Sequence, residues 1–238
     1  MNACAFYGNH ITSTYGLVIC VNNSAKNAQL FLNNCTIADN HYTASGSGAQ
    51  SCWINLKGTS KFVLSNSSLI GVTRNGSGVI KTSGPVLLRF DGNVGENNTL
   101  INDIIVPTSD NTANHSIAPG SSTVKGYYNK INTLGATATN YSGTSDATGY
   151  TYSNFGSLAY SSDTVNYEWD KFYWSWDGTI TGSSDNSMYT LTAINKAIQN
   201  ADSDFYDWLN SISALTTDGR GKTRGESSWP GAYDGTSN

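Results

Sequence analysis

The stretch Asn34-Cys35-Thr36-Ile37-Ala38-Asp39-Asn40 has near copies on both sides of it. An earlier one reads Ala3-Cys4-Ala5-Phe6-Tyr7-Gly8-Asn9 and a later one Asn66-Ser67-Ser68-Leu69-Ile70-Gly71; a degenerate last one reads Ile101-Asn102-Asp103-Ile104-Ile105-Val106. The cluster of Asn and small residues recurs every 31 to 36 residues, with Phe6, Ile37, Leu69 and Ile104 at one position of it. A period of this size marks a solenoid, in which each turn buries its apolar face only against the next.

Two further strand patterns fall between these steps. One runs Leu17-Val18-Ile19-Cys20-Val21, then Cys52-Trp53-Ile54-Asn55-Leu56, then Val79-Ile80-Lys81-Thr82. The other runs Leu30-Phe31-Leu32, then Phe62-Val63-Leu64, then Val86-Leu87-Leu88. Three short strands per turn, separated by Asn, Gly and Ser corners, describe an all-β fold, a right-handed parallel β-helix over 1–106. Alternation points Leu30, Leu32, Phe62, Leu64, Val86 and Leu88 inward. An Asn ladder through Asn34 and Asn66 is expected to satisfy the bent backbone at one corner. Phe31, Val63 and Leu87 form an outward apolar stripe, which calls for a cover.

The cover is sought near the C-terminus. Leu191, Ile194, Ile198, Ala201, Phe205, Trp208, Ile212 and Leu215 follow one another at alternating steps of three and four, an amphipathic helical stripe. Asp202-Ser203-Asp204 can cap a second helix, so one long helix and two shorter ones both fit. The cap therefore spans 188–238, as helix plus tail packed on the solenoid. Residues 107–187 lose the repeat and are expected to wrap the solenoid as loops and short strands, rich in Ser, Thr, Asn and aromatics.

Composition narrows the function. Charged residues are 13% of the 238, about half the usual share, and the net charge is −4 with no basic run. Nothing here attracts a phosphate backbone, so nucleic acid is not an expected partner. No stretch of about 18 apolar residues exists to span a bilayer. Met1 opens directly into a repeat, and an uncapped first turn presents open strand edges. The chain is thus expected to be the C-terminal part of a longer protein or to begin at an internal Met; with Met1 as the genuine start, the exposed first turn is expected to self-associate through its edge.

Cys4, Cys20, Cys35 and Cys52 all lie in the first quarter. Cys4 and Cys35 hold the same place in successive repeats, which reads as a stack of small inward thiols; a disulfide between them is geometrically demanding. Ile19 aligns with Ile54, which puts Cys20 on the opposite face. No Cys or His spacing points to zinc, and no metal or cofactor is expected.

The tail reads Thr217-Asp218-Gly219-Arg220-Gly221-Lys222-Thr223-Arg224-Gly225, then Trp229-Pro230-Gly231-Ala232-Tyr233-Asp234. It resembles the "D-x-R-G-x-x-R … G-A-Y" ending of secreted right-handed parallel β-helix proteins of Bacteroidetes type, the choice-of-anchor or pectate-lyase-like group. Asn34-Cys35-Thr36-Ile37 also resembles their repeats. The resemblance covers roughly 1–106 and 188–235 and implies an extracellular or bacterial outer-surface setting. Physically, an Asp and two Arg among glycines pin a terminal loop by charge-assisted hydrogen bonds, with Trp229 and Tyr233 as buried anchors.

Parallel β-helices host polysaccharide lyases and hydrolases, which need gathered carboxylates with a base, or paired acids. Asp39, His41, Lys57, Lys61, Lys81, Arg89, Asp91, Glu96 and Asp103 are spread too thinly for that, and no catalytic residue is assigned. Arg89 and Asp91 are expected to pair with each other and His41 to be a solvated loop residue. The stronger candidate is the aromatic stretch 167–178. Trp169, Tyr173, Trp174 and Trp176 beside Glu168, Asp170 and Asp177 carry the chemistry of a glycan site: flat rings for sugar C–H faces and carboxylates for hydroxyls. The competing reading has these rings burying a strand against the helix. The expectation is a non-catalytic surface or secreted protein that binds polysaccharide or glycoprotein glycans as an adhesin-type module. One alternative is a polysaccharide lyase or glycoside hydrolase with its catalytic turns upstream; another is the structural terminal cap of a large adhesin.

Overall fold

Ala3, Asn34, Asn66, Asn102 and Tyr128 all have left-handed backbone, with φ between 49° and 65°. Each turns the chain from one parallel sheet into the next, and the corners stack. Asn populates this region more readily than most residues with a side chain, and it holds three of the five positions. The computed structural model describes residues 1–6, 9–11, 17–22, 28–38, 40–42, 52–57, 61–71, 86–91, 98–107, 117–118, 122–131, 141–144, 147–148, 189–232 and 234.

The first turn carries β1 (Ala5–Phe6), β2 (His10–Ile11), β3 (Leu17–Asn22) and β4 (Gln29–Asn33). The second carries β5 (Thr36–Ile37), β6 (His41–Tyr42), β7 (Cys52–Lys57) and β8 (Lys61–Ser65). The third carries β9 (Ser68–Gly71), β10 (Val86–Asp91) and β11 (Asn98–Ile101), and the fourth β12 (Ile104–Pro107), β13 (Ile117–Ala118) and β14 (Val124–Tyr127). Shorter steps follow as β15 (Lys130–Ile131), β16 (Tyr141–Thr144) and β17 (Ala147–Thr148). The C-terminal part holds β18 (Tyr189–Thr190), α1 (Leu191–Ala201), α2 (Ser203–Ser211) and β19 (Ser227–Ser228). Three parallel sheets result, in the orders β1-β5-β9-β12-β15-β17, β3-β7-β10-β13 and β4-β8-β11-β14-β16, with a short β2-β6 pair at a further corner. This is the expected parallel β-helix with a helix-containing cap.

The registers correct three expectations. First, β10 lies beside β7, with Leu88 opposite Ile54, so Val86-Leu87-Leu88 is not the third copy of the Leu30 strand. That place belongs to β11, where Asn98 and Leu100 face Phe62 and Leu64. Period explains the shift: Cys52 to Val86 is 34 residues, whereas Phe62 to Val86 is only 24. Second, Ile105 rather than Ile104 continues the Phe6-Ile37-Leu69 column. Third, the parallel sheets pass 106 and run to Thr148. The later turns are short, and Tyr128 replaces Asn at the corner, which erases the sequence signature. The remaining expected strand, 79–82, lies outside the described residues.

Leu30, Leu32, Phe62, Leu64 and Leu88 are buried in one cluster with Ile37, Leu69, Ile105 and Ile131, as alternation requires. Cys20 sits opposite Asn55 on the other phase of its sheet and is exposed. At the stacked corner the side chains form two columns. The first runs through amides: Asn102 Nδ2 donates to Asn66 Oδ1 (2.8 Å), Asn66 Nδ2 to Asn33 Oδ1 (3.0 Å), and Asn33 Nδ2 to Asn2 Oδ1 (2.9 Å). The second lies one residue on and caps backbone N–H groups of the neighbouring turn. Cys35 N–H donates to Ser67 Oγ, Ser67 N–H to Asp103 Oδ1, and Asp103 N–H to Asn129 Oδ1. Asp103 is fully buried and accepts from Ile101 N–H as well, so its carboxylate is held by backbone donors. A third ladder joins Asn9 and Asn40 where the chain leaves the first sheet.

The helical stripe breaks at Asp202, which resolves the choice between one helix and two. Asp202 has extended backbone, ends α1 and caps α2, its Oδ1 accepting from Phe205 N–H at 2.7 Å. The break rotates the second half of the stripe. Phe205 and Leu209 are buried, while Trp208 and Ile212 turn outward. The pair covers Phe31 and Val63 as expected, together with Ile101, through Ile194, Ala197, Ile198, Phe205 and Leu209. Leu87 is not under the helices; it sits on the β3-β7-β10-β13 sheet, opposite Trp53 by register, and both are fully buried.

The corner chemistry yields a graded test. Asn66→Ala loses two side-chain hydrogen bonds at about 1 kcal/mol each and meets a left-handed penalty of about 1–2 kcal/mol. Asn66→Gly loses the same bonds without the penalty. Urea unfolding is expected to rank wild type above Asn66→Gly above Asn66→Ala, with about 1–2 kcal/mol separating the two variants.

Candidate docking site at the first turn

The tail positions the cap, and Arg224 is its anchor. The guanidinium is buried and reaches four acceptors: Thr217 O (3.2 Å), Ser228 Oγ (2.6 Å), Asn34 Oδ1 (3.0 Å) and Gly231 O (3.0 Å). It thus ties the tail to a left-handed corner of the solenoid. Burial draws its pKa down to about 10, against the pull of Asp234 and Asp218, so it stays charged at neutral pH. Asp218 is buried beside it and accepts from Arg220 Nη2 (2.6 Å) and Nε (3.0 Å) and from the N–H groups of Arg220 and Lys222. These are the charge-assisted bonds expected of this motif.

Gly231 is where tail and solenoid come closest. Its N–H donates to Asn102 O at 2.8 Å. A Cβ there would stand 2.8 Å from Ser68 Oγ and 2.9 Å from Ile104 Cδ1, and φ is +101°. Only glycine meets both conditions. Trp229 is half-buried rather than a buried anchor, and its carbonyl accepts from Asn102 Nδ2. Tyr233 lies outside the described residues.

With the cap fixed, α2 projects over the first turn. Phe205 stacks on Phe31 of β4 at 4.9 Å and 23°, and Trp208 stacks on Phe205 at 6.0 Å and 19°. Lys61 pairs with Asp202 at the helix junction and holds its ammonium 6.0 Å from the centre of the Phe31 ring. Partial burial works to raise the Asp202 carboxyl. The Lys61 bond, the Phe205 N–H, the Lys61 charge and the Asp204 amide outweigh it and hold the pKa below the ordinary value.

Beyond Phe31 lies a cleft of about 300 Å³ lined by Met1, Phe31, Asp204, Phe205 and Trp208. Met1, Trp208 and Ile212 are 44%, 42% and 46% exposed, the large apolar side chains at the surface among the described residues. β4 is the end strand of its sheet, as β1 and β3 are of theirs. Met1 covers only the far part of β4, its amino group donating to Phe31 O and its carbonyl accepting from Asn33 N–H. Lys61 N–H donates to Ala28 O and Asn34 N–H to Ser65 O. That alternation directs the Gln29 N–H toward the open side. The core is open at the same end: Cys4, Phe6, Ile19 and Val21 are only partly buried, whereas Cys35, Ile37, Ile54 and Leu56, one turn on, are fully buried.

The residues singled out for glycan binding, Trp169, Tyr173, Trp174, Trp176, Glu168, Asp170 and Asp177, lie outside the described residues. So do Asp39, Lys81 and Glu96. Of the remaining charged candidates, Asp103 and Lys61 serve the fold as described above. Arg89 is half-buried on β10, and the side chains of Asp91 and His41 lie outside the description. His41 is not in a loop: it opens β6 and pairs with His10. Among the described residues, no three His, Cys, Asp or Glu side chains gather closely enough to hold a metal ion. The cleft was not anticipated. Its signal lay in the sequence, in Trp208 and Ile212 falling on the far side of a helix break at Asp202. No protein-family model, curated protein or solved structure matches this chain.

Arg224 supplies the test of this assembly. Removing it takes the guanidinium from Asn34 Oδ1 and the Gly231 carbonyl, leaves Thr217 O with Asn34 Nδ2 alone, and leaves Asp218 with less compensation. Arg224→Met is expected to cost about 3–5 kcal/mol in chemical denaturation, and Arg224→Lys to recover only part of that, since an ammonium cannot reproduce the fork.

Proposed function

We propose that the chain is a non-catalytic β-solenoid module of adhesin type that self-associates by strand addition at its first turn. The carrying observation is the apolar row of α2, which continues past the last strand beneath it. Phe31 fills the place under Phe205. The next place, one strand spacing of about 4.8 Å further out, is the cleft below Trp208. A second copy laid along β4 fills that place, pairs the Gln29 edge and covers the half-exposed Phe6, Ile19 and Val21. The resemblance of the tail to secreted β-helix proteins supports an extracellular or cell-surface setting for such an assembly.

Sedimentation velocity across a concentration series tests this. The wild-type chain is expected to form dimers or larger stacks at tens of micromolar, on the order of what modest apolar interfaces give. Gln29→Pro, which removes an edge donor outside the intramolecular ladder, and Trp208→Ser are each expected to shift the chain toward monomer without lowering its unfolding midpoint. A wild-type chain that stays monomeric throughout the series overturns the reading.

Glycans are the ligands this reading favours, and the specific support is the stretch 168–177, with its five aromatic side chains and three carboxylates. On a glycan array, Trp174→Ala and Trp176→Ala are expected to lose binding while keeping the wild-type circular dichroism spectrum. Unfolding of both variants, with no binding by the parent, makes the stretch a packing element and leaves the chain a structural cap.

A further inference from the structure

The corner column that caps backbone N–H groups begins with two thiols. Cys4 and Cys35 are in register, one step before the Ala5–Thr36 pair and two beyond the Asn2–Asn33 bridge. Thr36 N–H donates to Cys4 O at 2.9 Å, so the two turns are joined at this residue. The side chains share one orientation. Cys4 Sγ reaches Asn2 O at 3.5 Å and Cys35 Sγ reaches Asn33 O at 3.2 Å, each two residues back, and Ser67 Oγ repeats the bond to Ser65 O. Like-oriented side chains on adjacent parallel strands have Cα atoms about 4.8 Å apart, inside the range of about 4.4–6.8 Å that a disulfide spans.

From this we infer that Cys4 and Cys35 form a disulfide that staples the first turn to the second. The oxidant is a low-molecular-weight disulfide such as oxidised glutathione. The Cys4 thiolate attacks one sulfur of the oxidant, making a mixed disulfide and expelling one thiolate. Cys35 gives up its proton and attacks Cys4 Sγ, closing the Cys4–Cys35 bond and expelling the second thiolate. The two protein thiols lose two electrons and two protons, and the oxidant becomes two thiols.

The order of attack follows from the environments. The hydrogen bond from Cys35 is the largest influence on Cys4 and, against partial burial and aided by the nearby amino terminus, lowers its pKa to about 6. Giving that bond, together with burial, pushes the Cys35 thiol up. Cys4 is also the more exposed of the two. The accessible thiolate therefore attacks first, and the buried thiol resolves the mixed disulfide.

The experiment treats the folded chain with oxidised glutathione, blocks remaining thiols and maps tryptic peptides without reduction. Cys4 and Cys20 fall in residues 1–26, and Cys35 and Cys52 in residues 27–57. The expected result is loss of two of the four thiols, a cross-link between these two peptides, and a raised thermal midpoint that reducing agent reverses. The cross-link is expected to persist in a Cys20→Ser/Cys52→Ser chain and to vanish in Cys35→Ser. The proposal is overturned if all four thiols survive, if glutathione stays on Cys4 as a mixed disulfide, or if the cross-link depends on Cys20 or Cys52.

Discussion

A left-handed residue at the same corner of successive turns is the constraint on which this molecule rests. It folds the chain from the sheet containing β4 and β8 into the one containing β1 and β5 within a single step. Such a corner is costly for most side chains and leaves backbone groups bent away from regular ladders. Asn offsets both costs: it tolerates the conformation, and its amide continues the hydrogen bonding from turn to turn. Once the corner is fixed, the residue after it must face inward. That position is small or polar in every case, running Cys4, Cys35, Ser67, Asp103 and Asn129.

The corner also determines where the tail can dock. Asn34 Oδ1 and the carbonyl of Asn102 point outward because the backbone is left-handed there, and Arg224 and Gly231 take them up. Buried charge is therefore used for registry. Asp103 accepts hydrogen bonds from backbone donors, and Arg224 donates to a set of oxygens from tail and solenoid. Apolar contacts between the helices and the outer face of β4, β8 and β11 add burial, but contacts of that kind are weakly directional. The polar node at Arg224 specifies one placement of the cap against others of similar buried area.

Much of this was legible in the sequence and some was not, for identifiable reasons. The Asn-marked period gives the solenoid, the inward columns and an amide ladder, because corner geometry restricts residue choice; the ladder, though, runs from Asn66 to Asn33 rather than to Asn34, whose amide is taken up by the tail. The 3–4 stripe gives a helix over β4 and β8, because burial imposes periodicity. Register is less visible: the sequence pattern puts Leu87 one strand and Ile104 one residue away from the observed position, since apolar runs on doubly covered strands carry no phase. Turns after residue 106 carry no such mark, because Tyr128 holds the left-handed position without the Asn signature. The cleft under Trp208 arises from a rotation at Asp202 that a continuous helical pattern conceals. The candidate glycan residues rest on composition, and neither register nor corner geometry bears on them.

The first turn is the point where these features converge. Its strand β1 pairs over only two residues, and its inward side chains are half-exposed where their partners one turn on are fully buried. In a solenoid, stability is close to a sum of interfaces between neighbouring turns, so the turn with the weakest interface opens first. Strand addition along β4 and a bond between Cys4 and Cys35 both act on this weakest interface. A partner strand needs an ordered β4 edge, and the disulfide needs β1 seated on β5. Each event thus favours the same closed first turn, and by linkage each strengthens the other. If both proposals hold, oxidation would stabilise the first turn that a second copy recognises, and association would protect the alignment that lets the two thiols meet.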